Sequence, residues 1–540
     1  MPHWRGLTRA TPGANLAESV KEGVPLTLSS EASGARRPAG QRWAVAAAAA
    51  LAVLVLFPVL QSGFFGDDIS LWHEGQKLLA DPSSFFIGPS NFYRPANAWL
   101  FAANHLAFGS SPLGYHVVTL LMHLTCGVLL GRFVGRFVSS PWAVLAASTL
   151  WLCSPYAFGP VQYVNIAYND LTVIAVWLAL ANLWPGDGNW ARWRIASVAG
   201  LIAFSVFCKE SWVIVPGLVF AFELFIARKT VRRALPAAAL TAIPVGVYLA
   251  VYAVVFAGRG GYYDFGLWAA AKVSHLWACF SLITILEPTR PGFGPAESIA
   301  TLLMLGIAIL GWRRRSALIG IGYSMFFLTV LPILFIPFLP TRYTAAPLLG
   351  FVLVMAGVAR EIAAMTPAPR RWLATTGIAA AATVLIVTNF VWVRGEIGDM
   401  HRLSRHYTAL LQEAEAFAGQ IPTDKTLICV RLERQDPLRR LLAEGSLGLP
   451  KTYYQRDRSP YGLANWAHLL TFVRSDRGRE IFLDVKPSGP EDLPSGPHEV
   501  IGHVEGAFRL LPARGSTALE EWVTWRNTGH HVMLVLPQEG

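Results

Sequence analysis

The chain has 540 residues, of which 53% are hydrophobic and only 15% charged, with a formal net charge of +11 at pH 7. A soluble protein carries about a quarter charged residues. Here apolar runs near the roughly 20 residues that cross a bilayer recur along the chain, which excludes a water-soluble globular protein. The positive charge sits in short clusters between those runs, among them Arg132/Arg136, Arg228-Lys229/Arg232-Arg233, Arg313-Arg314-Arg315 and Arg370-Arg371. The positive-inside rule produces that pattern, so no nucleic-acid partner is called for. The five cysteines form no Cys-x-x-Cys, which argues against a structural metal site or a disulfide framework.

In chain order, residues 1–41 are polar and rich in Gly, Ala and Pro, and are expected to be a disordered cytoplasmic N-terminus. A first span over about 43–60 leads outward to a loop over about 61–112. That loop holds Gly66-Asp67-Asp68, Asn91-Phe92-Tyr93-Arg94-Pro95 and an amphipathic-looking stretch, Pro95–Phe108. Further spans follow at about 114–131, 142–155 and 168–184, then a short hairpin with Lys209-Glu210 at its outer tip. A span at about 235–257 opens a second outer loop, 258–297. Four more, at about 298–312, 317–338, 344–358 and 372–393, bring the expected total to eleven. The run Trp268–Leu286 is apolar enough to cross, but crossing would place Arg313-Arg314-Arg315 outside, so a re-entrant or interfacial helix is expected there.

Residues 395–540 change character. β-rich runs Thr426–Leu432, Glu480–Val485 and His531–Leu536 alternate with helical runs Asp436–Glu444 and Gly462–Arg474, between Pro and Gly turns. The fold class is therefore a polytopic α-helical membrane domain, 42–394, followed by a small extracytoplasmic α/β domain.

Two adjacent carboxylates beside a bilayer must face water or do chemistry. Adjacent residues in extended backbone point to opposite faces, so one of Asp67 and Asp68 would meet a substrate while the other orients it or raises its basicity by repulsion. The plainer reading is a solvated pair, or a cap for a helix starting at Ile69. Arg94 can grip a phosphate and His116 can donate a hydrogen bond, against snorkelling of the one and packing of the other. Lys209, held by its neighbour Glu210, can neutralise a leaving phosphate, or the two can form an ion pair at the hairpin tip. Arg342 and Tyr343 have the look of interfacial anchors, and Asn165, Asn169 and Asp170 stand near the outer end of the fourth span. The assigned topology puts all of them on one face of the membrane.

In this order the motifs resemble those of the GT-C glycosyltransferases. Within that superfamily the chain is most similar to the transmembrane O-mannosyltransferases with lumenal tetratricopeptide repeats and their bacterial relatives. The matching residues are Gly66-Asp67-Asp68, Tyr93-Arg94-Pro95, Gly114-Tyr115-His116 with His123, Cys208-Lys209-Glu210, and Arg342-Tyr343 with Pro347-Leu348-Leu349-Gly350-Phe351. The likeness covers roughly residues 45–395. Two departures stand out. Ser154-Pro155 and Ala167-Tyr168-Asn169-Asp170 replace the His-Pro and Gly-Arg-x-Asp stretches usual in that family, and residues 395–540 lack the roughly 34-residue tetratricopeptide period.

The resemblance implies a polyprenyl-phosphate-linked sugar, mannose or another hexose, as donor. The acceptor would be a protein, lipid or glycan hydroxyl on the outer face. It implies inversion, with Asp67 or Asp68 as base and the first preferred, and Arg94, Lys209 or Arg342 on the departing phosphate. No cofactor is required; the Asp pair can take a divalent metal, but no third acidic ligand stands near it. A bacterial inner membrane, with the N-terminus in the cytoplasm, is the expected location. The rival readings are a transporter or flippase, a non-catalytic scaffold, and a glycan polymerase or ligase of another class, for which Arg259, His275 and Arg290 would be the key residues.

Overall fold

A computed structural model describes residues 39–64, 68, 75, 78–82, 94–185, 190–205, 207–255, 295–332, 341–418 and four strands between 425 and 537. The expected N-terminal disorder, Asp67, the 258–294 loop with Arg259, His275 and Arg290, and the 268–286 segment lie outside the described residues.

Each expected span meets a helix. The Ala-rich run Ala39–Leu56 forms α1 and tightens into a 3₁₀ turn, Phe57–Gln61. The helices α2 (Pro95–Phe108), α3 (Pro112–Val134), α4 (Pro141–Leu152) and α5 (Pro155–Gln162) all open on proline, whose missing N–H costs nothing in a first turn. Ser140 and Ser154 cap α4 and α5 through the N–H groups of Ala143 and Tyr156. Next come α6 (Val164–Leu183), α7 (Arg192–Ser205), α8 (Val215–Phe225) and α9 (Val231–Val255). After the second loop follow α10 (Pro295–Arg314), α11 (Ala317–Val330), α12 (Ala345–Met365) and α13 (Arg371–Ala418).

Among the described residues, six helices are long and apolar enough to cross a membrane, and seven if α4 and α5 count as one span bent by 50°. The expected eleven include helices too short to cross alone. The 14 residues of α7 reach roughly 21 Å against a hydrocarbon core of roughly 30 Å.

The centre of the bundle is α6, with 83% of its apolar window buried; the apolar window of α13 is 6% buried and lies on the periphery. Close approach of backbones holds α11 to α12. A Cβ on Gly350 would stand 2.5 Å from the Gly322 carbonyl oxygen and from the Phe326 nitrogen, so only glycine fits. Inside α6, residues Ala167–Leu171 form a π-helical turn, a feature that often marks functional sites.

The helix α13 runs unbroken from Arg371 to Ala418, across the expected boundary at residue 394, 48 residues in all, or about 72 Å. The described part of the C-terminal region is an antiparallel sheet in the order β1-β4-β2-β3, built from Lys425–Val430 (β1), Glu499–Val504 (β2), Ala507–Leu511 (β3) and Val532–Pro537 (β4). β1 and β4 match two expected strands within a residue or two. β2 and β3 pair antiparallel, with Val504 opposite Ala507. The expected strand at 480–485 and the two expected helices fall outside the described residues.

Candidate active site

At the end of the bundle where α1 finishes, five elements bring polar side chains together. The N-terminus of α2 sets the first of them. Its Ala96 N–H, which no helical carbonyl can satisfy, bonds the Phe207 carbonyl at 2.9 Å and ties α2 to the turn ahead of Cys208-Lys209-Glu210. That link faces Arg94 toward Glu210. The guanidinium forks onto the carboxylate, with Nε 2.8 Å from Oε2 and Nη2 on Oε1.

Lys209 does not pair with its neighbour, contrary to the expected arrangement. Its ammonium bonds Asp170 Oδ1 from the π turn of α6 and lies 4.8 Å from the ring centroid of Tyr343. The two adjacent residues diverge because Glu210 opens a 3₁₀ turn, Glu210–Ile214, and turns toward α2 while Lys209 turns toward α6. The hairpin tip is therefore a junction of two ion pairs, each made with a distant element.

Asp68 is fully buried, and its Oδ1 accepts the Asn165 N–H at 2.9 Å. Asn165 is fixed in turn by two amides. Its Oδ1 accepts from Asn97 Nδ2 at 3.1 Å and from Asn169 Nδ2 at 2.9 Å. Beneath this network lie Phe64, Tyr115, Phe101 and Tyr168, with Phe64 edge-on to Tyr115 at 4.9 Å and Phe101 4.9 Å from Tyr168. Asn97 was not singled out from sequence. Its signal was legible as a lone amide in the apolar first turns of α2, the stretch Pro95-Ala96-Asn97-Ala98-Trp99.

Of the residues singled out from sequence, Asp68, Arg94, Lys209, Glu210 and Tyr343 gather here with Asn165, Asn169 and Asp170. His116 is fully buried on α3, and its Nε2 lies 3.4 Å from the Gly63 carbonyl. Arg342 stands in the 3₁₀ turn Thr341–Thr344 that carries Tyr343. That turn runs into α12, whose Ala345 carbonyl takes a 3.2 Å bond from Trp151 Nε1.

His123 has a structural task. The break between α4 and α5 diverts the Tyr156 N–H to Ser154, and the Leu152 carbonyl accepts instead from His123 Nε2 at 2.9 Å, with the imidazole stacked on Trp151. Cys208 is buried, and burial pushes its thiol up to about 12, so it is no nucleophile near neutral pH. Among the described residues no group of three or more His, Cys, Asp and Glu converges as a metal site.

Chemically, the cluster offers a carboxylate held by a backbone N–H, two cations on fixed carboxylates and an aromatic face, at one end of an apolar bundle. The fold is that of a solved membrane protein. The structure of ArnT from Cupriavidus metallidurans bound to undecaprenyl phosphate superimposes with a TM-score of 0.50 over 92% of this chain and 98% of that chain, at 13% identity.

No family model matches the sequence. Over 141 residues it is 26% identical to the human protein O-mannosyl-transferase TMTC3, covering 25% of this chain and 15% of the relative. Over 132 residues it is 30% identical to the Drosophila melanogaster protein O-mannosyl-transferase Tmtc2, covering 23% and 14%. The matched segment thus spans about a seventh of these curated relatives. The chain thus shares the fold of ArnT and, over about a quarter of its length, is similar in sequence to the protein O-mannosyl-transferases.

Proposed function

We propose that the chain transfers a sugar, mannose or another hexose, from a polyprenyl phosphate to an acceptor hydroxyl on the outer face of the membrane. The observation that carries this reading is the convergence of Asp68, Arg94, Asp170, Lys209, Glu210 and Tyr343 at one end of a bundle with the fold of ArnT. The undecaprenyl phosphate in the ArnT structure supports a polyprenyl-phosphate donor, and the names of the curated relatives support mannose.

An alcohol is a poor nucleophile at neutral pH, so a base must take its proton as the new bond forms. In this reading Asp67 is that base, and Asp68, buried on the Asn165 N–H, anchors the loop that presents it. The acceptor oxygen bonds to the anomeric carbon from the face opposite the phosphate, and the bond from that carbon to the phosphate oxygen breaks. The configuration inverts, the proton goes to the carboxylate, and polyprenyl phosphate departs with the electron pair. The charge that develops on the phosphate calls for preorganised cations, a role for Lys209 first and for Arg94 and Arg342 beside it. The scheme needs neither metal nor cofactor. By the charge bias of the loops, the site faces away from the cytoplasm of a bacterial inner membrane, and the sheet after α13 belongs to an extracytoplasmic domain.

The test supplies the purified chain with a panel of polyprenyl-phosphate sugars and an acceptor extract and measures release of polyprenyl phosphate. Release with one sugar and inversion at its anomeric carbon are expected. Release from none of them would overturn the reading.

A further inference from the structure

The segment that leads from α1 to Asp68 is held from two sides at Gly63. Its carbonyl faces His116 Nε2 on α3, and its N–H bonds Ser404 Oγ on α13, 341 positions along the chain. One turn earlier the Pro58 carbonyl accepts from His401 Nε2 at 2.7 Å. The gripping face of α13 is one stripe: Val393, Ile397, Met400 and Ser404 are buried at spacings of three and four residues. A Cβ on Gly63 would stand 3.0 Å from Thr408 Oγ1 and 3.2 Å from Ser404 Oγ, so a larger residue there would press on both hydroxyls. Ile397, Met400, His401, Ser404 and Thr408 lie on the C-terminal half of α13, ahead of the strand that begins at Lys425.

From this geometry we infer that the C-terminal half of α13 is a strut that holds the segment Pro58–Phe64 leading to Asp68, with Ser404 as its positioning residue. The inference rests on the proposed transfer reaction for its catalytic consequence, but the grip on Gly63 is a physical contact that can be measured without any reaction. Ser404 touches no reacting atom. It acts by fixing Gly63, five residues before Asp68, and a displacement of about 1 Å in a reacting group lowers a rate about a hundredfold.

The experiment uses the full chain in lipid nanodiscs and two readouts. Hydrogen exchange over residues 58–70 should rise in Ser404→Ala and return to the wild-type level in Ser404→Thr, which keeps the hydroxyl. With the polyprenyl-phosphate sugar that the wild type turns over, Ser404→Ala should lower kcat by about tenfold to a hundredfold, leave KM within about twofold, and be rescued by Ser404→Thr. A second pair guards against a folding defect. Gly63→Ala should impair turnover, Thr408→Ala should not, and Gly63→Ala/Thr408→Ala should recover. Unchanged exchange in Ser404→Ala overturns the strut, and so does wild-type turnover of Ser404→Ala where the wild type is active. A wild type that releases no polyprenyl phosphate sinks the transfer reading alone and leaves the exchange result to decide the strut.

Discussion

At the end of the bundle marked by Arg136, charge closes helix ends. The Arg136 guanidinium donates to the carbonyls of Ala181, Asn182 and Trp184, which α6 leaves unsatisfied as it finishes, and Gln41 donates to those of Gly135 and Val138. The pair Lys229–Glu223 is six positions apart in the chain and closes the end of α8. At the Asp68 end, charged side chains meet partners from other elements, cation against carboxylate in two of three cases. Arg94 meets Glu210 across 116 positions, Lys209 meets Asp170 across 39, and Asp68 meets Asn165 across 97. The difference is one of partner: Arg136 satisfies the carbonyls of a helix end and so serves the fold. Arg94 and Lys209 are held against carboxylates from other elements at the bundle end where the proposed function places the substrate.

That contrast can be broken in four ways. The largest expected effect is at Asp67→Asn, which should lower kcat by about 10²–10⁴, the share of a general base, while membrane insertion and donor-lipid binding persist. Full activity in both Asp67→Asn and Asp68→Asn would remove the base from the pair. Lys209→Ala should cost about 10²–10³ in turnover, as loss of one preorganised donor does, measured by polyprenyl phosphate release. An unchanged kcat and donor KM would leave the Asp68 end with no phosphate clamp at Lys209.

At the other end, Arg136→Ala should lower stability by about 2 kcal/mol through three abandoned carbonyls, seen as an earlier thermal transition in detergent. Its kcat/KM should stay at the wild-type value, and a large loss would mean that the two ends are not separable. The smallest effect is expected at Asn97→Ala. It removes one of two amides that fix Asn165, worth about 1 kcal/mol, and should lower turnover several-fold with Asn169 still in place.

The spans were legible because a bilayer forces apolar runs of fixed length, and the proline starts and basic loops punctuate them. The ends of α4 and α5 were less so. A single expected span at 142–155 is a bent pair, since Ser154-Pro155 restarts the helix, and nothing in hydropathy shows the His123 imidazole that satisfies the break. The polar residues of the site were legible as charges out of place in an apolar chain. Their partners were not, because an ion pair such as Lys209–Asp170 depends on which turn of α6 faces the hairpin, and the π turn at Ala167–Leu171 shifts that facing.

By itself, the sequence determined the membrane class, the orientation bias of the loops and the list of residues that carry charge near one surface. These follow from transfer energies, which are properties of each segment alone. Only the tertiary structure decided that Lys209 and Glu210 part company, that His116 meets the Gly63 carbonyl, and that Ser404, far along the chain, grips the approach to the Asp pair. Each of these is a contact between segments, and its geometry is set by packing rather than by the composition of either partner.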